Sequence, residues 1–405
     1  MFNLSNEEIK QYDAVHTIGE IHQQPAVWKE MRDILNSQKA ELETFLDGIY
    51  KKHDHVRVIF SGAGTSAFIG DALAPELNKQ HQGNAQFEGI ATTDIVSNPT
   101  SYFMKDVPTI LVSFARSGNS PESVATVALG QKLVDDFYQV VITCNKDGEL
   151  AANIKGDPSS ITVLTPEKAH DQSLAMTSSY SCMMIAAYTI FAEDGFDFTE
   201  LDKVIQNGEN LIQHVGDKVD AVLDFNFDRI AYLGSGGLGQ LAHEAGLKML
   251  ELTAGQVVAM DETSLGFRHG PKSILNPTSA VVIFLSGDAY TRQYDMDILR
   301  ELSAADSGMK VIVVMETKDA EVEKLADWTL VVGAHAGGEA DASVAATSGT
   351  SGLRSDFHRA LLYVIFAQVL AAKKSIALGI TPDNPSSDGA INRVVKGVTI
   401  YDYKA

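Results

Sequence analysis

Four pairs of short segments recur in this chain at nearly one spacing, and that recurrence limits the fold more than any other feature. Gly62-Ala63-Gly64 returns as Gly234-Ser235-Gly236, 172 residues on; Ser117-Gly118 returns as Ser286-Gly287, 169 on. Val140-Val141-Ile142 matches Val311-Ile312-Val313 at 171, and residues 161–164 match 329–332 at 168. Each copy alternates short β-branched runs with helical stretches, the pattern of a parallel sheet wrapped by helices on both faces. The reading is α/β, with two similar domains. At 405 residues and 45% hydrophobic content the chain has enough length and apolar mass for two cores.

Within the first copy, Thr109-Ile110-Leu111-Val112 reads as a buried strand running into Ser113-Phe114-Ala115-Arg116-Ser117-Gly118-Asn119-Ser120-Pro121-Glu122-Ser123 and then a helix. A strand, a hydroxyl-rich glycine turn and a helix start leave backbone N–H groups facing outward at the positive end of the helix dipole, which suits a phosphate. Arg116, Ser117 and Ser120 add donors. The same residues also serve a plain capped helix, with Ser120 as N-cap and Pro121 at the first helical position. The residues alone leave both readings open. Residues 56–60 followed by Ser61-Gly62-Ala63-Gly64-Thr65-Ser66 repeat the arrangement. In the second copy Ser286-Gly287-Asp288-Ala289 carries an acid that repels phosphate, so the anion is expected in the first copy.

The formal charge of −21 argues against nucleic acid and against anionic membrane surfaces as partners. Cys144 and Cys182 lie in apolar settings without metal spacing and read as buried thiols of a reducing cytosol. Residues 1–10 are polar and acidic, unlike a signal peptide, so a cytoplasmic location is expected. The longest apolar runs, 182–192 and 360–372, are shorter than the roughly 20 residues a bilayer needs and read as buried helices. Val27, Met31, Ile34, Leu35, Leu42, Phe45, Leu46 and Ile49 give residues 1–50 a helical period, read as an arm. Residues 335–356, rich in Gly, Ala, Ser and Thr, read as a loop, and the turn-rich segment from Thr381 as a C-terminal tail.

Acid–base groups gather on the helix expected over residues 239–253, where Glu244, Lys248 and Glu251 share one face. A solvated ion-pair row has the same spacing. His269, between Arg268 and Gly270-Pro271-Lys272, sits in a loop with little apolar packing, as a surface or capping histidine also would.

Taken in order, Gly64-Thr65-Ser66, Ser117-Gly118-Asn119-Ser120, Glu244-Ala245-Gly246-Leu247-Lys248-Met249-Leu250-Glu251, His269-Gly270-Pro271 and Lys396 resemble the tandem sugar isomerase (SIS) domains of phosphosugar isomerases, including the isomerase half of glucosamine-6-phosphate synthase. The stretch from Phe114 to Ser123 and the chain length resemble the galactosamine-6-phosphate deaminase/isomerase branch, often labelled tagatose-6-phosphate ketose/aldose isomerase. The resemblance runs from about residue 50 to the C-terminus. It implies two SIS domains, 51–200 for phosphate and 215–380 for acid–base work, with an N-terminal arm at 1–50 and a tail at 381–405. Carried residue by residue, it puts phosphate contacts at Gly64, Thr65, Ser66 and across Arg116-Ser117-Gly118-Asn119-Ser120, with sugar contacts near Ala175, Met176 and Thr177. The base falls on Glu251, its neighbouring lysine on Lys248, the ring-opening histidine on His269 and the C-terminal-loop lysine on Lys396. Family turns often read Ser-Gln-Ser-Gly-Glu-Thr, so this chain has lost one hydroxyl and gained Arg116.

The resemblance implies deaminating isomerisation of a hexosamine 6-phosphate, galactosamine 6-phosphate to tagatose 6-phosphate and ammonia, in N-acetylgalactosamine catabolism. No cofactor or metal is implied, and the partner is a second copy of the chain in a homo-oligomer with a shared site. The alternatives are a plain ketose/aldose phosphate isomerase and a phosphosugar-sensing regulator. A dinucleotide enzyme is a further rival, because Gly62-x-Gly64-x-x-Ala67 fits the loose dinucleotide fingerprint and Glu88 follows about 20 residues on.

Overall fold

A computed structural model describes every residue of the chain except 82, 306, 334–351, 387–388, 396 and 405. Most of the loop expected over 335–356 therefore lies outside the described residues, and its last residue, Asp356, already begins a helix. In chain order the helices are α1 (Asn6–Gln11), α2 (Val15–His22), α3 (Gln24–Lys52), α4 (Thr65–Gln80), α5 (Thr92–Ser97), α6 (Pro121–Leu133), α7 (Glu149–Asn153), α8 (Ser178–Phe191), α9 (Thr199–Leu223), α10 (Gly237–Leu252), α11 (Ala289–Ser303), α12 (Ala320–Leu325) and α13 (Asp356–Ala377).

The repeat is visible as two copies of one sheet topology. Strands β1 (Val56–Ser61), β2 (Ala85–Gly89), β3 (Thr109–Ala115), β4 (Phe137–Thr143) and β5 (Ser160–Leu164) form a parallel sheet in the order β2-β1-β3-β4-β5. Strands β6 (Arg229–Gly234), β7 (Val258–Thr263), β8 (Ser279–Phe284), β9 (Lys310–Met315) and β10 (Trp328–Val331) repeat it as β7-β6-β8-β9-β10, again parallel. Strands β1, β3 and β8 are buried along their whole length, as strands covered on both faces must be. One core gathers Ile59, Leu111, Ile95 and Phe103, and the other Leu233, Val281, Ile283 and Val313. In both sheets the strand order reverses at the first strand of the copy, so the turns after β1 and β3, and after β6 and β8, flank the crevice at the carboxyl ends where open α/β sheets bind ligands.

Contacts divide the chain into two compact units, Met1–Ala26 with Ser173–Ala175 and Thr199–Ser387, and Val27–Gln172 with Met176–Phe198 and Asp388–Ala405. The terminal segments are thus shared out differently from a single arm and a single tail. Residues 1–26 join the unit of the second sheet, where the Asp383 carboxylate accepts from His16 N at 2.9 Å, Thr17 N at 2.7 Å and Thr17 Oγ1 at 2.8 Å, capping α2. The rest of α3 joins the unit of the first sheet, where the wholly buried Trp28 donates through Nε1 to Ser181 Oγ on α8 at 2.8 Å. Helix α13 is 22 residues long and apolar enough to cross a membrane by composition, but 89% of its apolar window is buried inside the protein. Cys182 is buried and Cys144 half-buried; both are free thiols, and burial pushes Cys144 up to about 12.

The two first turns are superposable in conformation. Gly64 has φ 57° and ψ −131°, and Gly236 has φ 58° and ψ −131°, a region closed to residues with a Cβ. Nothing lies within 4 Å of a Cβ built at either position, so a side chain there meets strain without a clash. Gly236→Ala is expected to lower stability by about 1–3 kcal/mol in urea unfolding, and an unchanged midpoint would refute the strain argument.

Candidate active site

The turns of the first repeat stand on adjacent strands. After β1, Thr65 and Ser66 open α4 and are 4% and 6% exposed, with Ser66 Oγ against Met176 Sδ at 3.8 Å. After β3, Ser117 Oγ accepts from Asn119 N at 3.3 Å, and the turn is braced from outside by Asn145 Nδ2 on Ser117 O at 2.8 Å and by Glu149 N on Asn119 Oδ1 at 2.9 Å. Helix α6 begins at Pro121 with Ser120 as N-cap, yet the Ser120 hydroxyl makes no capping bond. The helix start is therefore held by backbone and proline geometry, which leaves the hydroxyl for another use. Ser117 Oγ–H and Gly118 N–H meet no acceptor among the described residues.

Arg116 is 8% exposed and donates to the Arg393 carbonyl at 2.8 Å, while the Arg393 guanidinium reaches the Asp171 carbonyl. The tail is tied to the turn at this point. Thr177 is fully buried, and its N–H and hydroxyl go to Asp171 at 2.8 and 3.3 Å. The same carboxylate accepts from Ser178 N at 3.1 Å, Ser179 N at 2.9 Å and Ser179 Oγ at 2.5 Å, closing the N-terminus of α8. Asp171 carries no signature in the sequence, because its partners are six to eight residues on and outside any capping-box spacing.

On α10, Lys248 is fully buried between two carboxylates: Glu244, also fully buried, lies 3.5 Å away, and Glu251 makes a direct ion pair while remaining 22% exposed. The row of charges is therefore not a solvated face. The four-residue and three-residue spacings point inward, and only Glu251 keeps a route to solvent. His269 lies in the exposed loop after β7, with no hydrogen bond to Glu251 among the described residues. Its neighbours Arg268 and Lys272 both grip Glu301, the former at 2.5 Å, and hold that carboxyl below its usual range, Lys272 most strongly. The start of this loop is anchored too, since Ser264 Oγ donates to the buried Asp295 at 2.5 Å. Asp295 also accepts from Ser235 Oγ at 2.6 Å and Ser286 N at 3.0 Å; burial pushes its carboxyl up, opposed by the two hydroxyls. Sequence reasoning missed Asp295, whose partners lie 60, 31 and 9 residues before it. Lys396 lies outside the described residues.

Asp288 caps α11, accepting from Tyr290 N at 3.1 Å and Thr291 N at 3.0 Å. A short side chain at the N-cap position closes back on its own helix start more readily than it reaches across the turn. The carboxylate set against Ser286-Gly287 is that of Asp356. Glu88, the acid that a dinucleotide site would use on ribose, is held by Arg57 through two bonds of 2.5 and 2.7 Å, the strong bidentate geometry. Among the described residues no group of three His, Cys, Asp or Glu is placed to hold a metal ion.

Removing one partner of a buried ion pair leaves an uncompensated charge. Lys248→Met is expected to cost about 3–5 kcal/mol of stability, whereas Glu251→Gln, at the exposed end of the row, should cost no more than about 1 kcal/mol. Urea unfolding of the two variants with circular dichroism checks the order.

The SIS domain model matches residues 49–193. The D-galactosamine-6-phosphate deaminase AgaS of Shewanella sp. (strain ANA-3) is 39% identical over 402 residues, 99% of this chain and 95% of that protein. The crystal structure of tagatose-6-phosphate ketose/aldose isomerase from Escherichia coli superposes with a TM-score of 0.84 at 34% identity, covering 96% of this chain and 97% of that one. The C-terminal domain of glucosamine-fructose-6-phosphate aminotransferase from Francisella tularensis shares the fold, with a TM-score of 0.64 at 18% identity over 91% of this chain and 98% of that one. With two copies of the same five-stranded sheet and this degree of identity along its whole length, the chain belongs to the SIS-domain phosphosugar isomerase family, in the branch of the AgaS D-galactosamine-6-phosphate deaminases.

Proposed function

We propose that this protein converts galactosamine 6-phosphate to tagatose 6-phosphate and ammonia. The observation that carries the reading is the α10 charge row, a buried lysine beside a carboxylate that solvent still reaches, in a chain that matches the Shewanella deaminase over nearly all of both sequences. Phosphate is taken by the first repeat, through Thr65, Ser66, Ser117 and Ser120 with the backbone of Gly64, Gly118 and Asn119, and Arg116 supplies positive charge beside them. Thr177, wholly buried with its N–H and hydroxyl on Asp171, is not open to the sugar as the resemblance implied. The division of labour follows residues 51–200 and 215–380. The setting is amino-sugar catabolism in the cytoplasm, which suits two free thiols.

In this reading His269 opens the sugar ring. Glu251 takes the proton from C2 of the open-chain aldehyde, and the electrons form an enolamine whose C1 oxygen is steadied by Lys248 or Lys396. Returning the proton to C1 leaves a ketimine at C2; water adds there, ammonia departs, and the ketose phosphate remains. A base in this position contributes roughly 10²- to 10⁴-fold. Glu251→Gln keeps the side-chain shape without the basic site, so kcat should fall by about that factor while the substrate still binds, and deuterium from D₂O should cease to enter C1 of the product. Near-normal kcat and exchange in this variant would remove Glu251 from the role. The likeness to the E. coli tagatose-6-phosphate ketose/aldose isomerase favours a second reading, plain ketose/aldose isomerisation. Ammonia release from galactosamine 6-phosphate, assayed beside glucosamine 6-phosphate, separates the two.

We also read the protein as a homo-oligomer in which His269 serves the site of a neighbouring copy. Its exposure, on a loop fixed by the Arg268 and Lys272 grip on Glu301, supports a residue offered outward in one position. Mixed oligomers of Glu251→Gln and His269→Ala chains should recover part of the activity that each lacks alone; verified mixtures without recovery would put His269 in its own chain's site.

A further inference from the structure

The Ser-Gly turns after β3 and β8 have the same internal geometry. Asn119 N donates to Ser117 Oγ at 3.3 Å, and Asp288 N donates to Ser286 Oγ at 3.1 Å. They differ in what their outward donors meet. In the second repeat Ser286 Oγ–H donates to Asp356 Oδ2 at 2.5 Å and Gly287 N–H to Asp356 Oδ1 at 2.9 Å, so one carboxylate spans both. In the first repeat the matching hydroxyl and N–H have no acceptor among the described residues.

We propose that the turn of the second repeat is an oxyanion site closed by the chain's own Asp356, so that each chain holds a single phosphate, in the first repeat. This rests on the phosphate reading of Ser117 and Gly118 given above. Two carboxylate oxygens on a hydroxyl and a backbone N–H reproduce the contacts of two oxygens of a phosphate. The surroundings complete an anion site. Arg359, with a side chain 8% exposed, pairs with Asp356 at 3.3 Å and with Glu316 at 2.6 Å, and its buried Nε–H has no acceptor among the described residues. The guanidinium lies directly on the turn: a Cβ on Gly287 would collide with Arg359 Cζ. Glu316 is fastened in turn by Leu353 N at 2.6 Å, so the second carboxylate stays with Arg359 when Asp356 is removed. Asp356 is the first residue of α13, and the corresponding last helix of the first sheet begins with a hydroxyl residue, Ser178. A carboxylate thus stands at this helix start in the second repeat and a hydroxyl in the first.

Equilibrium dialysis with radiolabelled inorganic phosphate tests this on the full-length protein. Wild type should bind one phosphate per chain, and two would overturn the proposal whether or not any variant folds. Asp356→Ser, which copies the helix start of the first repeat, should add one phosphate per chain. Asp356→Asn, which keeps an acceptor in place, should add none. Ser117→Asp should abolish the wild-type phosphate, and the double variant Ser117→Asp with Asp356→Ser should regain one. The count gained on replacing Asp356 by Ser tests the closed site, and a cooperatively melting Asp356→Ser protein that gains nothing refutes it. Retention of the original phosphate by Ser117→Asp would refute the phosphate reading of the first repeat and leave that gain as a separate measure of the closed site.

Discussion

Parallel strands followed by helices leave a row of backbone N–H groups at the carboxyl ends of each sheet, and the need to give those donors an acceptor governs this protein. Its acids answer much of that need. Asp171 closes the start of α8, Asp288 that of α11, Asp319 that of α12 and Asp383 that of α2. Asp295 holds three turns of the second sheet through Ser235, Ser264 and the Ser286 N–H, and Asp356 spans the Ser286-Gly287 turn. A charge of −21 is therefore partly structural, because carboxylates are spent inside as acceptors for backbone and hydroxyl donors.

Against that background the open donors of the Ser117-Gly118 turn stand apart. Its hydroxyl and N–H, which meet no acceptor among the described residues, belong to the same kind of turn that in the second repeat receives a carboxylate. The second repeat has kept the turn and filled it, and its distinctive chemistry is instead the buried Glu244-Lys248-Glu251 row on α10. The two sheets thus have equal topology and different side chains at their turns and on their helices.

The loop of His269 shows how this scaffold fixes an exposed side chain. The Asp295 carboxylate holds the loop's start at Ser264, and Glu301 holds its basic residues on both sides of the histidine. These are contacts between segments tens of residues apart, and they act together with Phe267, which the same loop buries in the core of the second sheet, so the expected lack of apolar packing around His269 holds for the histidine and not for its loop.

Much of the architecture is legible in the amino-acid order, because strand burial, helix period and glycine turns are local. The repeat spacing marks two copies of one unit, Gly64 and Gly236 mark backbone that only glycine adopts, and Ser120-Pro121 marks the start of α6. The α10 spacing puts Glu244, Lys248 and Glu251 on one face, but whether that face meets solvent or core depends on what packs over it, and burial of Lys248 is decided there. Likewise Asp383 caps a helix more than 360 residues earlier, and Asp356 closes a turn about 70 residues earlier, pairings that no spacing rule contains. Sequence alone determined the duplicated α/β framework and the residue types at its turns. Only the tertiary structure decided which turn donors are met by the chain's own carboxylates and which are left open, since a hydrogen bond depends on distance in space and not on distance along the chain.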